Sequence, residues 1–334
     1  MCSGYKLIIP KTRWVFFDVA TAAALLLFQE QDVDYSIVET GLGGRLDATN
    51  IVQPRVTCIT HIELEHTDKL GRTLAAIARE KAGIIKPNIP VVTGRLPTPA
   101  AQVVTNRAQA ADAPLIQLGR ELRLRTRARD DWLTDARIAI GKLQVRATLP
   151  TLGRQSAENA ALAVACVQQL DIPHIDLAQA ASRGLARASL PGRCELLSRR
   201  PWIVLDVAHT PQSARALAIV LGRIPAPRKH LILSLSQDKN WAAIGHSLFP
   251  NFATVTVTQA NVQRSRPPAS LAGFFHQLFP DLSVQVIPDP VEAVQSVFSA
   301  PASDELLCVA GSVYLVGTVR PFLQHWVAAN EFVS

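Results

Sequence analysis

Short apolar runs alternate with amphipathic stretches along almost the whole 334-residue chain, and that alternation leaves few folds open. A run of about 4–8 apolar residues bounded by turn formers reads as a buried strand, and a longer stretch with 3.6-residue periodicity reads as a helix. Repeated in series, the two describe βα units and a mostly parallel sheet covered by helices. In the first half the pattern predicts helices over residues 18–30, 73–83 and 157–170, and strands over 35–38, 55–60 and 90–93. Residues 115–149 break the rhythm. Arg123, Arg125, Arg127 and Arg129 alternate there with Leu122, Leu124, Thr126 and Ala128, which places the arginines on one face of a strand. The segment is expected as an antiparallel excursion at the edge of the sheet, with a solvated arginine face.

Leu190-Pro191-Gly192-Arg193 interrupts regular structure and marks the expected domain boundary, dividing the chain into 1–192 and 193–334. Beyond it a fresh series begins. Strands are expected over 202–205, 231–235, 254–258, 284–287 and 306–310, and helices over 212–221, 241–249, 268–278 and 291–298, with a last helix after 310. That is a complete small α/β domain.

Composition narrows the function. Apolar residues make up 48% and charged residues 18%, a globular balance. The net charge of +7 suits acidic small ligands such as nucleotides or polycarboxylates. No dense Lys/Arg run with interleaved aromatics argues for nucleic acid. Five scattered cysteines without CxxC spacing argue against a disulfide framework or a zinc site and for a reducing, cytoplasmic setting. The apolar stretch 19–28 is too short to span a bilayer, so no membrane association is expected.

The densest cluster of special residues is GLGGRLDATN at 41–50. It is not a dinucleotide fingerprint, because the third glycine of that motif would fall on Leu46. HIELEHT at 61–67 is not a metalloprotease motif either, since Ile62 stands where HExxH needs glutamate. What remains is carboxylate and imidazole groups after strands, where α/β folds bind ligands. Glu39, at the end of one expected strand, and His66, after a neighbouring one, could converge on one ion. Taken alone, either is more often a surface or core-satisfied group.

The motifs together carry a resemblance. FFD at 16–18 with Thr21, GLGGRLDATN at 41–50, HIELEHT at 61–67 and REKAGI at 79–84 lead the series. QSAEN at 155–159, LPGR at 190–193, LDVAHTP at 205–211, QDKN at 237–240, SRP at 265–267 and GSVYLVG at 311–317 continue it in order. The chain resembles folylpolyglutamate synthase/dihydrofolate synthase of the Mur-ligase superfamily over nearly its whole length. The resemblance implies an α/β, Mur-ligase-like fold: a P-loop-type parallel-sheet ATPase domain followed by a Rossmann-like glutamate-ligase domain. It implies a monomeric ATP-dependent amide ligase of folate biosynthesis that joins L-glutamate to dihydropteroate or to folates through an acyl phosphate. ATP and Mg²⁺ are the implied cofactors.

Residue by residue, the resemblance implies that Glu39 and His66 hold the magnesium, as hard oxygen and a single tolerated imidazole would. Lys81 matches a lysine that is carbamylated in the superfamily, a change that turns an ammonium into an anionic ligand. Asn159, Arg193 and Asp206 match nucleotide contacts, with the arginine able to fork onto phosphate oxygens. His209 and Lys239 lie in matching motifs, His209 as a candidate catalytic group. Phe17, Asp18, Leu46, Asp47 and Ala48 match positions that hold the pteroate, an aromatic for stacking and acids for ring nitrogens. The match departs at Asp18, where the family has Glu, at Thr210, where it has Asn, and at Glu65, where it has Asp. A GxxGKS loop is not found, and the family carries it upstream of the point where this sequence starts. The expectation is therefore a truncated P-loop domain. The alternative is a non-catalytic folate- or nucleotide-binding remnant of the family.

Overall fold

A computed structural model describes residues 14–170, 172–261, 263–298 and 304–330. The chain forms two compact units. One runs up to Leu122 and takes in Ala165–Ile172, and the other holds Arg123–Val164 and the chain from Pro173 onward.

The first unit contains α1 (Phe16–Glu30), β1 (Thr57–Ile59), α2 (Thr67–Leu70), α3 (Leu74–Lys81), β2 (Val91–Thr93), α4 (Thr98–Ala110) and β3 (Leu115–Gln117). The strands form a parallel sheet in the order β1-β2-β3, with Thr57 beside Val91 and Val91 beside Leu115. All of β2 is buried, as a central β-branched strand covered on both faces should be. Thr73 starts α3 by accepting the Ala76 N–H on its side chain. Ala100, Val104 and Ala108 form the fully buried stripe of α4. With Ile59, Ile77, Ile85 and Val91 they make the core of this unit.

One expected strand is absent. Residues 35–38 form no strand and join no ladder, and Ile37 is 98% exposed. Apolar, β-branched sequence does not suffice for a strand; its N–H and C=O groups need a partner edge. Glu39 therefore does not end a strand, and β1 has β2 as its neighbour in the sheet rather than this segment. Helix α1 matches the expected span, yet none of its residues is buried. Phe16, Leu26 and Leu27 are all more than half exposed.

The second unit opens with β4 (Leu122–Ala128), β5 (Thr134–Ile140) and β6 (Leu143–Leu149), an antiparallel sheet in that order. The excursion expected at the edge of the parallel sheet is thus divided. β3 joins the parallel sheet, and β4 to β6 make a sheet of their own. The cause is the period-two pattern: the even-numbered residues of β5 are all buried and need their own cover. Helix α5 (Arg154–Gln168) supplies it, Ala157 and Ala160 packing on Ala136, Ala147 and Leu149. Helix α6 (Leu177–Arg187) packs against β6.

The rest of this unit comprises β7 (Glu195–Arg199), β8 (Trp202–Asp206), α7 (Pro211–Leu221), β9 (Lys229–Leu233), α8 (Trp241–Leu248), β10 (Thr254–Val257), α9 (Pro268–Leu278), β11 (Ser283–Val286), α10 (Pro290–Phe298), β12 (Leu306–Ala310) and α11 (Val313–Asn330). Its six-stranded sheet has the order β11-β10-β9-β12-β8-β7, parallel except for β7, which pairs antiparallel with β8. Successive residues of one strand feed two cores: Leu231 and Leu233 enter one, Ile232 the other. Double coverage explains why these strands read as unbroken apolar runs. Among the described residues, no helix is long and apolar enough to cross a membrane.

Candidate active site

In the first unit, the 41–50 loop is bonded directly to the turn that follows α3. The Arg45 N–H donates to the Glu80 carbonyl at 2.7 Å, and the Arg45 guanidinium forks onto the Glu80 carboxylate at 3.0–3.2 Å. Asn50 Nδ2 donates to the carbonyls of Arg45 and Gly83, and Lys86 Nζ donates to the Asn50 carbonyl. The backbones approach so closely that only glycine fits. A Cβ on Gly44 would lie 2.9 Å from the Glu80 and Lys81 carbonyl oxygens, and one on Gly83 would lie 2.4 Å from Arg45 Cα. Gly83→Ala must push the two loops apart. A loss of about 1–3 kcal/mol is expected, as for overpacking elsewhere, read as a lower melting temperature.

Asp47 closes this loop from within. Its carboxylate accepts from the Leu42 N–H (2.9 Å), the Thr49 N–H (3.0 Å) and the Thr49 hydroxyl (2.5 Å). Desolvation opposes ionisation, but the hydrogen bonds from Thr49, Leu42 and Gly41 outweigh it and hold the carboxyl below its ordinary value. Leu46 beside it is 79% exposed, Ala48 is half-buried, and the Phe17 ring lies against Gly41. Asp18 Oδ2 accepts the Val15 N–H at 3.1 Å, so this carboxylate caps α1.

Glu39 and His66 are both exposed. Glu39 makes no hydrogen bond or ion pair among the described residues. His66 sits at the start of α2 with a left-handed backbone (φ 50°), its Nε2 3.8 Å from a Glu65 carboxylate oxygen. Lys81, half-buried at the end of α3, has no side-chain partner among the described residues. Among those residues no three His, Cys, Asp or Glu side chains gather to hold a metal. One carboxylate and one imidazole are a donor set for a hard cation that keeps waters and takes phosphate oxygens, and not for a fully protein-caged ion.

The second unit holds the remaining candidates. Asn159 is exposed on α5. Asp206 ends β8, where a doubly wound sheet presents ligand-binding loops. It is only 8% exposed and accepts the Cys194 and Ala208 N–H groups, each at 2.7 Å. Burial pushes its carboxyl above the ordinary value, with those bonds and Arg193 opposing. His209 Nδ1 lies 2.8 Å from the Val207 carbonyl, which places the proton there and makes Nε2 the basic nitrogen of the neutral ring. Thr210, where the resemblance has asparagine, caps α7 in a reciprocal box with Ser213.

Two supporting residues carry no motif and escape sequence reading: Glu195 and Arg320. Glu195 Oε2 accepts the Gly192 N–H at 2.8 Å, and its carboxylate takes the Arg320 guanidinium at 2.8–3.0 Å. With Asp206 on Cys194, it fastens both flanks of Arg193. The pairing spans 125 positions, so no local pattern could announce it. Glu195→Ala is expected to cost about 1.5–3 kcal/mol, the range for hydrogen bonds to charged groups. Under the nucleotide contact that the resemblance implies for Arg193, it should also weaken nucleotide binding more than turnover, which melting curves and a split of KM from kcat would read.

Comparison with known proteins meets this geometry. The Mur ligase middle domain matches residues 11–167, and the Mur ligase glutamate ligase domain matches residues 192–313. The dihydrofolate synthase/folylpolyglutamate synthase of Bacillus subtilis is 32% identical over 319 residues, covering 92% of this chain and 72% of that protein. The chain belongs to the folylpolyglutamate synthase/dihydrofolate synthase family. The family fold is α/β and Mur-ligase-like, and its members are ATP-dependent glutamate ligases of folate metabolism.

A probable bifunctional folylpolyglutamate synthase/dihydropteroate synthase of Haloferax volcanii is also 32% identical over 91% of this chain, but the chain spans only 36% of that relative's length. Among solved structures, the Yersinia pestis bifunctional folylpolyglutamate synthase/dihydrofolate synthase complexed with AMPPNP and a manganese ion is 29% identical. It covers 94% of this chain and 72% of its own, with a TM-score of 0.81. E. coli FolC in complex with DHPP and ADP has a TM-score of 0.83 at 27% identity, covering 94% of this chain and 72% of its own. An adenine nucleotide, a divalent metal and a pteroate-type ligand are therefore bound within the folylpolyglutamate synthase family.

Proposed function

We propose that this protein joins L-glutamate to dihydropteroate, to folates, or to both. ATP phosphorylates the acceptor carboxylate, and the glutamate amine displaces phosphate from the acyl phosphate to leave an amide. The observation that carries the reading is the bonding of the 41–50 loop to the turn after α3, which sets Asp47 and Lys81 on one rigid scaffold. In the first unit, Glu39 and His66 hold Mg²⁺, which supplies charge neutralisation at the phosphates. Lys81 enters as its carbamate. Phe17, Asp18, Leu46, Asp47 and Ala48 hold the pteroate, the ring by stacking and the carboxylates by hydrogen bonds to ring nitrogens.

In the second unit, Arg193 takes phosphate oxygens, Asp206 and Asn159 take the nucleoside, and His209 serves as a proton acceptor. The functional division is 1–192 for the nucleotide and pteroate and 193–334 for glutamate ligation. The protein works as a cytoplasmic monomer, in keeping with its free cysteines at positions 58, 166, 194 and 308.

The test is direct. Purified protein with dihydropteroate, L-glutamate and Mg-ATP should yield one ADP and one phosphate per dihydrofolate formed. The same assay with tetrahydrofolate should lengthen its glutamate tail if folates are accepted. No amide product from either acceptor overturns the reading. Mg-ATP at a hundred times its Kd should also raise stability by about 2.7 kcal/mol, seen as a shifted melt.

A further inference from the structure

The antiparallel sheet of β4, β5 and β6 carries a feature the reaction chemistry leaves unused. Arg137 on β5 lies directly opposite Arg146 on β6. The β4–β5 hairpin closes with the Arg129 N–H donating to the Leu133 carbonyl, and continuing that antiparallel register sets Arg125 beside Arg137. Three arginines thus occupy one row across three neighbouring strands, whose backbones lie about 4.8 Å apart. Arg123 and Arg127 flank the row on β4, and all five side chains are exposed. None of the five makes a side-chain hydrogen bond or ion pair among the described residues. Like charges directly opposite one another on a sheet are destabilising, so the row is a cost to the fold that an anion would relieve.

Beside it runs a groove of about 380 Å³ lined by Asp135, Arg137, Arg146, Thr148, Ser182 and Ala186. Ser182 Oγ donates to the Arg146 carbonyl at 2.7 Å and fixes α6 as the groove wall. The outward side chains of the sheet are arginine, threonine, aspartate, alanine and glutamine, with no aromatic ring on which a base could stack. That composition disfavours single-stranded nucleic acid and favours a flexible chain of carboxylates, which guanidinium forks bind in pairs.

We propose that this arginine face binds the poly-γ-glutamyl tail of a folate; the identity of the tail rests on the glutamate-ligase reading. Each γ-linked glutamate presents one free α-carboxylate, and its five backbone bonds span roughly 6 Å when extended. The arginine grid offers cations about 4.8 Å apart across strands and about 6.7 Å apart along them, so successive carboxylates can meet successive guanidiniums. Affinity then rises with tail length.

A fluorescently labelled penta-γ-glutamate peptide without pterin tests the surface alone, by anisotropy at several salt concentrations. Wild-type protein should bind it, bind the di-γ-glutamate at least about tenfold more weakly, and lose affinity steeply with salt. The Arg125→Gln/Arg137→Gln/Arg146→Gln variant should lose about tenfold in affinity for the pentapeptide, with an unchanged or raised melting temperature. It should keep the wild-type rate on a monoglutamyl acceptor. No binding of the pentapeptide by the wild type, equal binding by the triple variant, or tighter binding of oligo-dT than of the pentapeptide at equal salt overturns the proposal. A wild-type protein that binds the peptide through these arginines yet forms no amide would overturn the ligase reading and leave a carboxylate-chain surface standing.

Discussion

Replacing Glu39 by alanine is expected to abolish metal-dependent ligation and leave the fold untouched. The side chain is exposed and has no hydrogen-bond or ion-pair partner among the described residues, so nothing in the packing depends on it. Exposed substitutions of this kind shift stability by no more than about 0.5 kcal/mol. In the proposed site, however, the carboxylate is one of two protein donors to the cation and carries a large share of the affinity for it. A bound metal supplies several kcal/mol of charge stabilisation in transfer chemistry, so the loss should reach about three orders of magnitude in rate. Titrating Mg²⁺ against Glu39→Ala and Glu39→Gln, with melts run alongside, separates the readings. Full activity at ordinary Mg²⁺ in the alanine variant would remove Glu39 from the site.

Asp206→Ala should do the reverse, damaging fold and function together. The carboxylate satisfies two backbone N–H groups at 2.7 Å inside the second unit, and alanine leaves both without an acceptor. Each such loss costs about 1–3 kcal/mol, so the melt should fall by several degrees for a unit of this size. Cys194 would come loose from the end of β8, and Arg193 with it, so under the proposed role of Arg193 nucleotide-induced stabilisation should shrink as well.

The pH dependence has a definite sign. Asp206 titrates above its ordinary value of 3.8 in the folded state, so it contributes stability that is full below 3.8 and is lost as pH rises through the raised folded value. The gap between wild type and Asp206→Ala should narrow across that window as pH increases. Asp47, held below 3.8, has the opposite linkage: its contribution is present above 3.8 and lost as pH falls through the lowered folded value. Melts of the two alanine variants from pH 3 to 7 would show gaps to wild type that move in opposite directions.

The parts of this molecule that sequence describes well are those whose cause is local. Helix α9 begins at Pro268 and ends at Leu278, where the apolar periodicity and the proline place it. Strand β12 is five consecutive buried residues, and nothing but a doubly covered strand reads that way. Strand β7 carries no such signal: its residues Glu195–Arg199 are half-buried or exposed without clean alternation, as befits an edge paired on one side only. The segment 35–38 fails for the opposite reason, having a strand's composition and no partner. The site divides along the same line. GLGGRLDATN and EKAG are conspicuous as strings, but the glycines' purpose is visible only when Gly44 is seen against the Glu80 and Lys81 carbonyls and Gly83 against the Arg45 backbone. The Glu195 clamp on Gly192 and Arg320 is a pairing of ordinary residues, silent until the fold joins them.

Helix α1 has a consequence of a colloidal kind. Fifteen residues, FFDVATAAALLLFQE, present no buried side chain, and Trp14, Val15 and Ile37 add to the same apolar exposure. Exposed apolar area of that extent exceeds the isolated side chains ordinary surfaces carry. The native protein should therefore brighten an environment-sensitive dye such as ANS before any denaturant is added, and adhere to phenyl resin at low salt. Its solubility ceiling will be governed by this one helix rather than by the net charge of +7. Two or three polar replacements among Phe16, Leu26 and Leu27 would raise that ceiling with no loss of core.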